Sequence, residues 1–165
     1  MAFKILDASA FYAGIPFSST AKYHTTLQVY DEIRHIKKNH GALDMLLETG
    51  RLVLAEPAAE STAAAVAASK RTGDYEQLSR QDMSVIALCM ELGGELVSDD
   101  YAVANVAESS GISVAPVMTR GIQKAGRWIR YCPGCRATRN GTECRVCGTL
   151  LKKRLVGNSS KRGLV

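Results

Sequence analysis

Four short runs along the chain are apolar at successive positions: FKILDA (3–8), RLVLAE (51–56), GELVSD (94–99) and ISVAPV (112–117). Side chains alternate faces along a strand, so a strand with one wet face alternates apolar and polar residues. These runs do not. They read as strands buried on both faces, which is the situation in a parallel sheet covered by helices on each side. The stretches between them have helical patterns. Residues 27–48 set Leu27, Val29, Ile33, Ile36, Leu43, Leu46 and Leu47 among charges, and 58–70 is alanine-rich after Pro57. Residues 80–92 (RQDMSVIALCMEL) are apolar nearly all round, as in a helix deep in the fold, and Gly93-Gly94 ends them. Residues 101–109 form a shorter helix before Gly111. Strand–helix alternation of this kind predicts a doubly wound α/β layer structure. The strand order is not visible in the sequence.

Charge divides the chain. Residues 1–117 hold 9 Lys+Arg against 15 Asp+Glu, a net of −6, whereas residues 118–165 hold 12 against the single acid Glu143, a net of +11. A basic third attached to an acidic body points to a polyanion, because each phosphate neutralised releases counterions. The sequence therefore divides into a body at 1–117, a linker at 118–126, a cysteine-containing unit at 127–155 and a basic, flexible tail at 156–165. No apolar run approaches the roughly 18 residues that span a bilayer. Lys4 and Asp7 interrupt the apolar start MAFKILDA, so no signal peptide is expected and the expected location is the cytoplasm.

In that compartment clustered cysteines suggest metal rather than disulfides. Cys132-Pro-Gly-Cys135 and Cys144-Arg-Val-Cys147 form two C-x-x-C pairs separated by eight residues. Four thiolates close a tetrahedral shell around Zn²⁺ and leave no open position, so such a zinc is structural. A pair of disulfides is the alternative. Cys89 lies inside the apolar helix and reads as core. Arg127, Arg130, Arg136, Arg139 and Arg145 surround the pairs, with Trp128 and Tyr131 among them. Arginine with aromatics suits RNA, charge for phosphates and flat faces for bases. Trp128 could equally pack the cysteine unit against the body.

Acids also collect where the strands should end. Asp7 follows FKIL, and Asp99 and Asp100 follow ELVS; in open α/β sheets that edge is where ligands bind. Asp82 opens the buried helix, and Glu32 lies on the helix after Thr25-Thr26. Carboxylates gathered at one edge repel one another unless a divalent cation such as Mg²⁺ or Mn²⁺ neutralises them. Each also has a structural reading. Ser79-x-x-Asp82 fits a capping box, Asp7, Asp99 or Asp100 could cap the helices that follow, and Glu32 could be a solvated helix residue.

Four segments carry a resemblance. LDASAF (6–11), Thr25-Thr26…Val29…Glu32-Ile33, LSRQDMSVIALC (78–89) and LVSDDYAVANVA (96–107) resemble the four acidic motifs of PIN-domain nucleases. A PIN body followed by a four-cysteine zinc ribbon and a basic tail resembles the NIN-one-binding (Nob-type) endoribonucleases, over roughly residues 3–155. The lack of long insertions is similar to the archaeal members more than to the eukaryotic ones. The resemblance implies a three-layer α/β/α sandwich and a metal-dependent cut in precursor small-subunit (16S) rRNA that makes its mature 3′ end. It implies Asp7, Glu32, Asp82 and Asp100 as the catalytic carboxylates, with Asp99 the second choice beside Asp100. Asp7, Asp82 and Asp100 would hold Mn²⁺ or Mg²⁺, with Ser9 and Ser98 as supporting hydroxyls. The partners implied are precursor rRNA and the pre-ribosomal small subunit, with room for an assembly-factor protein and no membrane. Two rival readings are a non-catalytic zinc-ribbon assembly factor and a toxin-like PIN ribonuclease, the latter disfavoured by Cys132 to Cys147.

Overall fold

The computed structural model describes residues 2–36, 40–118 and 126–157. The sequence-based linker (118–126) and tail (156–165) therefore lie mostly outside the described residues.

Five parallel strands form the central sheet: β1 (Lys4–Leu6), β2 (Tyr23–Thr25), β3 (Leu52–Leu54), β4 (Glu95–Val97) and β5 (Val114–Ala115), in the order β3-β2-β1-β4-β5. Ile5 pairs with His24 on one side and Leu96 on the other. Ile5 and Leu6 are adjacent and so face opposite layers, yet both are fully buried. Both faces of the sheet are covered, as the uninterrupted apolar runs require. The helices are α1 (Ala8–Tyr12), α2 (Ile15–Ser18), α3 (Leu27–Ile36), α4 (Gly41–Glu48), α5 (Ala59–Thr72), α6 (Arg80–Leu92) and α7 (Tyr101–Ser109). Helices α5 and α7 pack on α6, α6 on β1 and β4, and α7 on β5; α1 packs on β1 and α4 on β3. Every residue of α6 from Met83 to Cys89 is buried, which is why the helix is apolar all round. None of the described helices is long and apolar enough to cross a membrane.

The structure differs from the sequence-based expectation at two places. β2 was not among the expected strands: its residues are Tyr-His-Thr, too polar and too few to resemble a buried run. The single helix expected over 27–48 is two, α3 and α4, and Nε2 of His40 hydrogen-bonds the Arg34 carbonyl at 2.7 Å, meeting an acceptor near the end of α3.

The C-terminal unit is a two-stranded antiparallel ribbon, β6 (Gly126–Tyr131) with β7 (Lys152–Gly157), register Gly126↔Gly157 to Tyr131↔Lys152. Two knuckles carry the cysteines, tied by Arg136 N–H to the Cys132 carbonyl (2.7 Å) and Gly148 N–H to the Cys144 carbonyl (2.8 Å). The residue after each second cysteine is left-handed, Gly148 at φ 70° and Arg136 at φ 60°. Glycine takes that conformation without strain; arginine does not.

The ribbon is docked on the body. Asn105, fully buried on α7, donates to Asp74 at 2.7 Å and to the Gly126 carbonyl at 2.9 Å, and accepts the Gly126 N–H at 2.8 Å. Gly73, the left-handed C-cap of α5, permits a close approach, because a Cβ there would stand 2.6 Å from Trp128 Cβ.

Candidate functional site

β1 and β4 are neighbours whose connections run to opposite halves of the sheet, and a crevice at that kind of switch point takes ligands at the C-terminal strand ends. Asp7 stands there, 4% exposed, as the N-cap of α1. One carboxylate oxygen accepts the Ala8 N–H; the other accepts the Ser98 hydroxyl at 2.5 Å and the Ser9 hydroxyl at 3.3 Å. The two serine oxygens in turn accept the backbone N–H groups of Asp100 and Asp99, each at 3.1 Å. Two hydroxyls thus bind the end of β1 to the end of β4 through one buried carboxyl group. Thr25 adds a third tie from β2, donating to the Leu6 carbonyl at 2.8 Å.

Asp82 and Asp100 both cap helices and both lie within the electrostatic reach of Asp7. Asp82 completes a capping box with Ser79, accepting its N–H at 2.7 Å. Asp100, exposed, is the N-cap of α7 and accepts the Val103 N–H at 3.0 Å. Each of these capping bonds uses one carboxylate oxygen. Burial raises the Asp7 carboxyl above its ordinary value, the Ser98 hydroxyl and Ala8 N–H oppose this, and the charges of Asp82 and Asp100 raise it further. Glu32, half-buried on α3, shares a neighbour with Asp7, the Tyr12 phenol, which is raised by burial and then by the charges of Glu32 and Asp7. The positive ends of α6 and α7 offset part of this negative charge. Asp99 is placed differently: its oxygens accept the N–H groups of Val117 (2.7 Å) and Met118 (2.8 Å), holding the end of β5.

The carboxylates suit a divalent cation, since a buried carboxyl group hydrogen-bonded by two hydroxyls and ringed by like charges is one that an ion would turn from cost to ligand. They do not converge as closely as the cysteines. Among the described residues, the group whose ligand atoms lie within 4.8 Å of one another is Cys132, Cys135, Cys144 and Cys147. Their Sγ atoms stand 3.4 Å (Cys132–Cys147), 3.4 Å (Cys135–Cys147) and 3.9 Å (Cys135–Cys144) apart. A tetrahedron with Zn–S bonds of about 2.3 Å has edges of about 3.8 Å, so the cluster has the dimensions of a Zn²⁺ shell. All five cysteines are free, against the disulfide alternative. The Thr149 hydroxyl and backbone N–H bring the Cys147 thiol down to about 6, favouring its thiolate. Its neighbours Cys147 and Cys144 push Cys135 up to about 12.

Of the residues expected to meet RNA, Arg127, Arg136, Arg139 and Arg145 are exposed. Arg130 is half-buried and braces the ribbon by donating to the Gly141 carbonyl at 2.9 Å. Trp128 is half-buried against Gly73, and its indole N–H is buried without a partner among the described residues. Sequence reasoning missed Glu56, which accepts the Leu27 N–H at 3.1 Å and so starts α3, and the Asp74–Asn105 pair. Neither sits in a pattern that spacing alone would reveal.

A parallel α/β body with acids at its switch point and a four-cysteine ribbon behind it defines a nuclease of the PIN class. The family described as the PIN domain of ribonuclease matches residues 5–92. Endoribonuclease Nob1 of Pyrococcus abyssi is 34% identical over 90% of this chain and 91% of its own length. Endoribonuclease Nob1 of Methanothermobacter thermautotrophicus is 36% identical over 92% of each. The 20S-pre-rRNA D-site endonuclease NOB1 of Saccharomyces cerevisiae is 32% identical over 62% of this chain and 22% of its own. The chain belongs to the Nob1 family of PIN-domain endoribonucleases, and its activity is that of a metal-dependent endoribonuclease.

Proposed function

We infer that the chain cuts one phosphodiester in precursor small-subunit (16S) rRNA to make its mature 3′ end, acting in the cytoplasm on the pre-ribosomal subunit. The observation that carries the catalytic part is the Asp7 carboxyl group, buried at a strand end and held by Ser98 and Ser9 beside Asp82 and Asp100. The similarity to the yeast 20S-pre-rRNA D-site endonuclease supports the rRNA substrate.

In this reading Asp7, Asp82 and Asp100 hold Mg²⁺ or Mn²⁺, with Glu32 at the rim. An ion held there would supply the charge that offsets the phosphate and would acidify water for the attack. Ser98 and Ser9 keep Asp7 fixed, and the N-caps keep Asp82 and Asp100 at the mouth, so the ligands are preorganised by helix starts. Asp99 serves the framework by holding β5. The four cysteines hold a structural Zn²⁺. Arg127, Arg136, Arg139 and Arg145 attract the RNA that the acidic edge repels, and Arg130 and Trp128 set the ribbon on the body.

The test is incubation of an RNA spanning the mature 3′ end with wild type and Asp100→Asn, with and without Mn²⁺. One cut, made by wild type with Mn²⁺ and lost in the other samples, is expected. Tight binding without cleavage by wild type would favour a non-catalytic assembly factor. Cleavage indifferent to the ion and the substitution would defeat the carboxylate mechanism.

A further inference from the structure

Two cavities meet at the 3₁₀ turn Tyr75–Gln77. The larger, about 540 Å³, opens at the start of α6 and is lined by Gln28, Ser79, Arg80, Met83 and Ser84. The smaller, about 240 Å³, lies at the junction of body and ribbon and is lined by Lys70, Trp128, Arg130 and Lys153. Tyr75 and Glu76 line both, so they form a sill between the Asp82 end of the catalytic edge and the ribbon.

Three cations face the smaller cavity, with one acid among them. Glu76, its side chain 72% exposed, lies 3.8 Å from Arg130 and 3.6 Å from Lys153. Ion pairs this exposed contribute little, so a better anion can replace the carboxylate at small cost. The indole N–H of Trp128, on the same wall, has no acceptor among the described residues. Tyr75 offers an exposed ring beside these cations, with the Lys70 ammonium 5.0 Å from its centroid, a surface on which a base can stack.

We propose that this junction cavity is a subsite for a backbone phosphate of single-stranded RNA, which displaces Glu76 from Arg130 and Lys153 while a neighbouring base stacks on Tyr75. Glu76 is then an anionic placeholder, and the strand runs from the catalytic edge over the sill to the ribbon. The inference rests on the endoribonuclease reading, and not on which RNA is cut.

The test is fluorescence anisotropy with a labelled single-stranded oligoribonucleotide of about a dozen nucleotides, in a salt series without added Mg²⁺ or Mn²⁺. Lys153→Ala is expected to weaken binding and to reduce the slope of log K against log salt by about 0.7, the share of one phosphate on a single strand. Glu76→Gln is expected to tighten binding about threefold, since it removes a competing charge. Lys22→Ala, an exposed lysine just before β2 at the other end of the sheet, is expected to leave the slope unchanged. Unchanged affinity in Glu76→Gln, or equal losses in Lys22→Ala and Lys153→Ala, would overturn the subsite. Competition by inorganic phosphate at matched ionic strength, lost in Lys153→Ala, is expected, because the free anion and the RNA phosphate would share the same cations. Both expected shifts in a protein that cuts no precursor rRNA would uphold the subsite while removing the rRNA assignment.

Discussion

Replacing Asn105 with alanine tests how the ribbon is held. The side chain makes three buried hydrogen bonds, two to the peptide groups of Gly126 and one to the Asp74 carboxyl group. Neutral bonds contribute about 1 kcal/mol each and one to an ionised group about 1.5–3, which places the loss near 4 kcal/mol. The substitution also leaves Asp74, fully buried and with one oxygen unpartnered among the described residues, without the donor that Asn105 supplies. A domain has roughly 5–15 kcal/mol in all, so the change is large. It falls on the junction, because each partner of Asn105 lies where body meets ribbon. Hydrogen exchange at the Gly126 amide reads the effect directly, and 4 kcal/mol corresponds to exchange about 10³-fold faster when opening is a rapid pre-equilibrium. The double substitution Asp74→Ala with Asn105→Ala is expected to cost less than the sum of the two singles, since it removes the stranded carboxyl group. Acceleration of less than about tenfold in Asn105→Ala would refute the idea that this residue carries the docking.

Three further outcomes follow from the same geometry. Burial disfavours ionised Asp7, so its contribution to folding is fully present below the unfolded value of 3.8 and is lost as pH rises through the raised folded value. Asp7→Asn is therefore expected to melt above wild type at pH 7 without divalent ions, with the gap closing toward pH 4, and to cut no RNA when Mn²⁺ is supplied; a lower melting temperature at pH 7 would contradict this. Cys144→Ser is expected to abolish stoichiometric zinc by elemental analysis and to weaken RNA binding about tenfold or more, because metal affinity is folding energy in such ribbons; unchanged RNA affinity would remove the ribbon from recognition. Gly73→Ala is expected to cost more than the about 1–2 kcal/mol of a left-handed alanine in urea unfolding, since its Cβ also meets Trp128; a neutral result would mean the ribbon sits elsewhere in solution.

The sequence revealed the elements whose residues are apolar in succession. The central strands β1 and β4 and the half-buried edge strands β3 and β5 stood out by their Val, Leu and Ile runs, and α6 because it is surrounded. β2 did not, since its stability comes from its place between β1 and β3 rather than from apolar residues, and Thr25 is buried through a hydrogen bond to Leu6. At the site, spacing alone set capping against catalysis as rival accounts of Asp7, Asp82 and Asp100. The structure shows all three as capping groups at helix starts, and at Asp82 and Asp100 a cap occupying one oxygen is compatible with an ion at the other, while both oxygens of Asp7 accept hydrogen bonds. Asp99 and Asp100 are adjacent in sequence, and the resemblance placed Asp100 first; the structural reason they differ lies in the amides of Val117 and Met118, which come from another strand end and hold Asp99. The Asp74–Asn105–Gly126 junction was illegible for the same reason, being a meeting of three distant segments.

The docked ribbon also bears on how the enzyme meets its substrate. The net −6 of residues 1–117 and the net +11 of residues 118–165 give the chain a large charge asymmetry. With the ribbon anchored through Asn105 and Gly73, the charge of its strands and knuckles has a fixed direction in the molecular frame. A polyanion approaching by diffusion exerts a torque on such a molecule and turns it ribbon-first before contact. Orientation is then settled in the encounter, ahead of any recognition of bases, and rising salt should slow productive arrival at the catalytic edge more steeply than it slows the chemistry performed there.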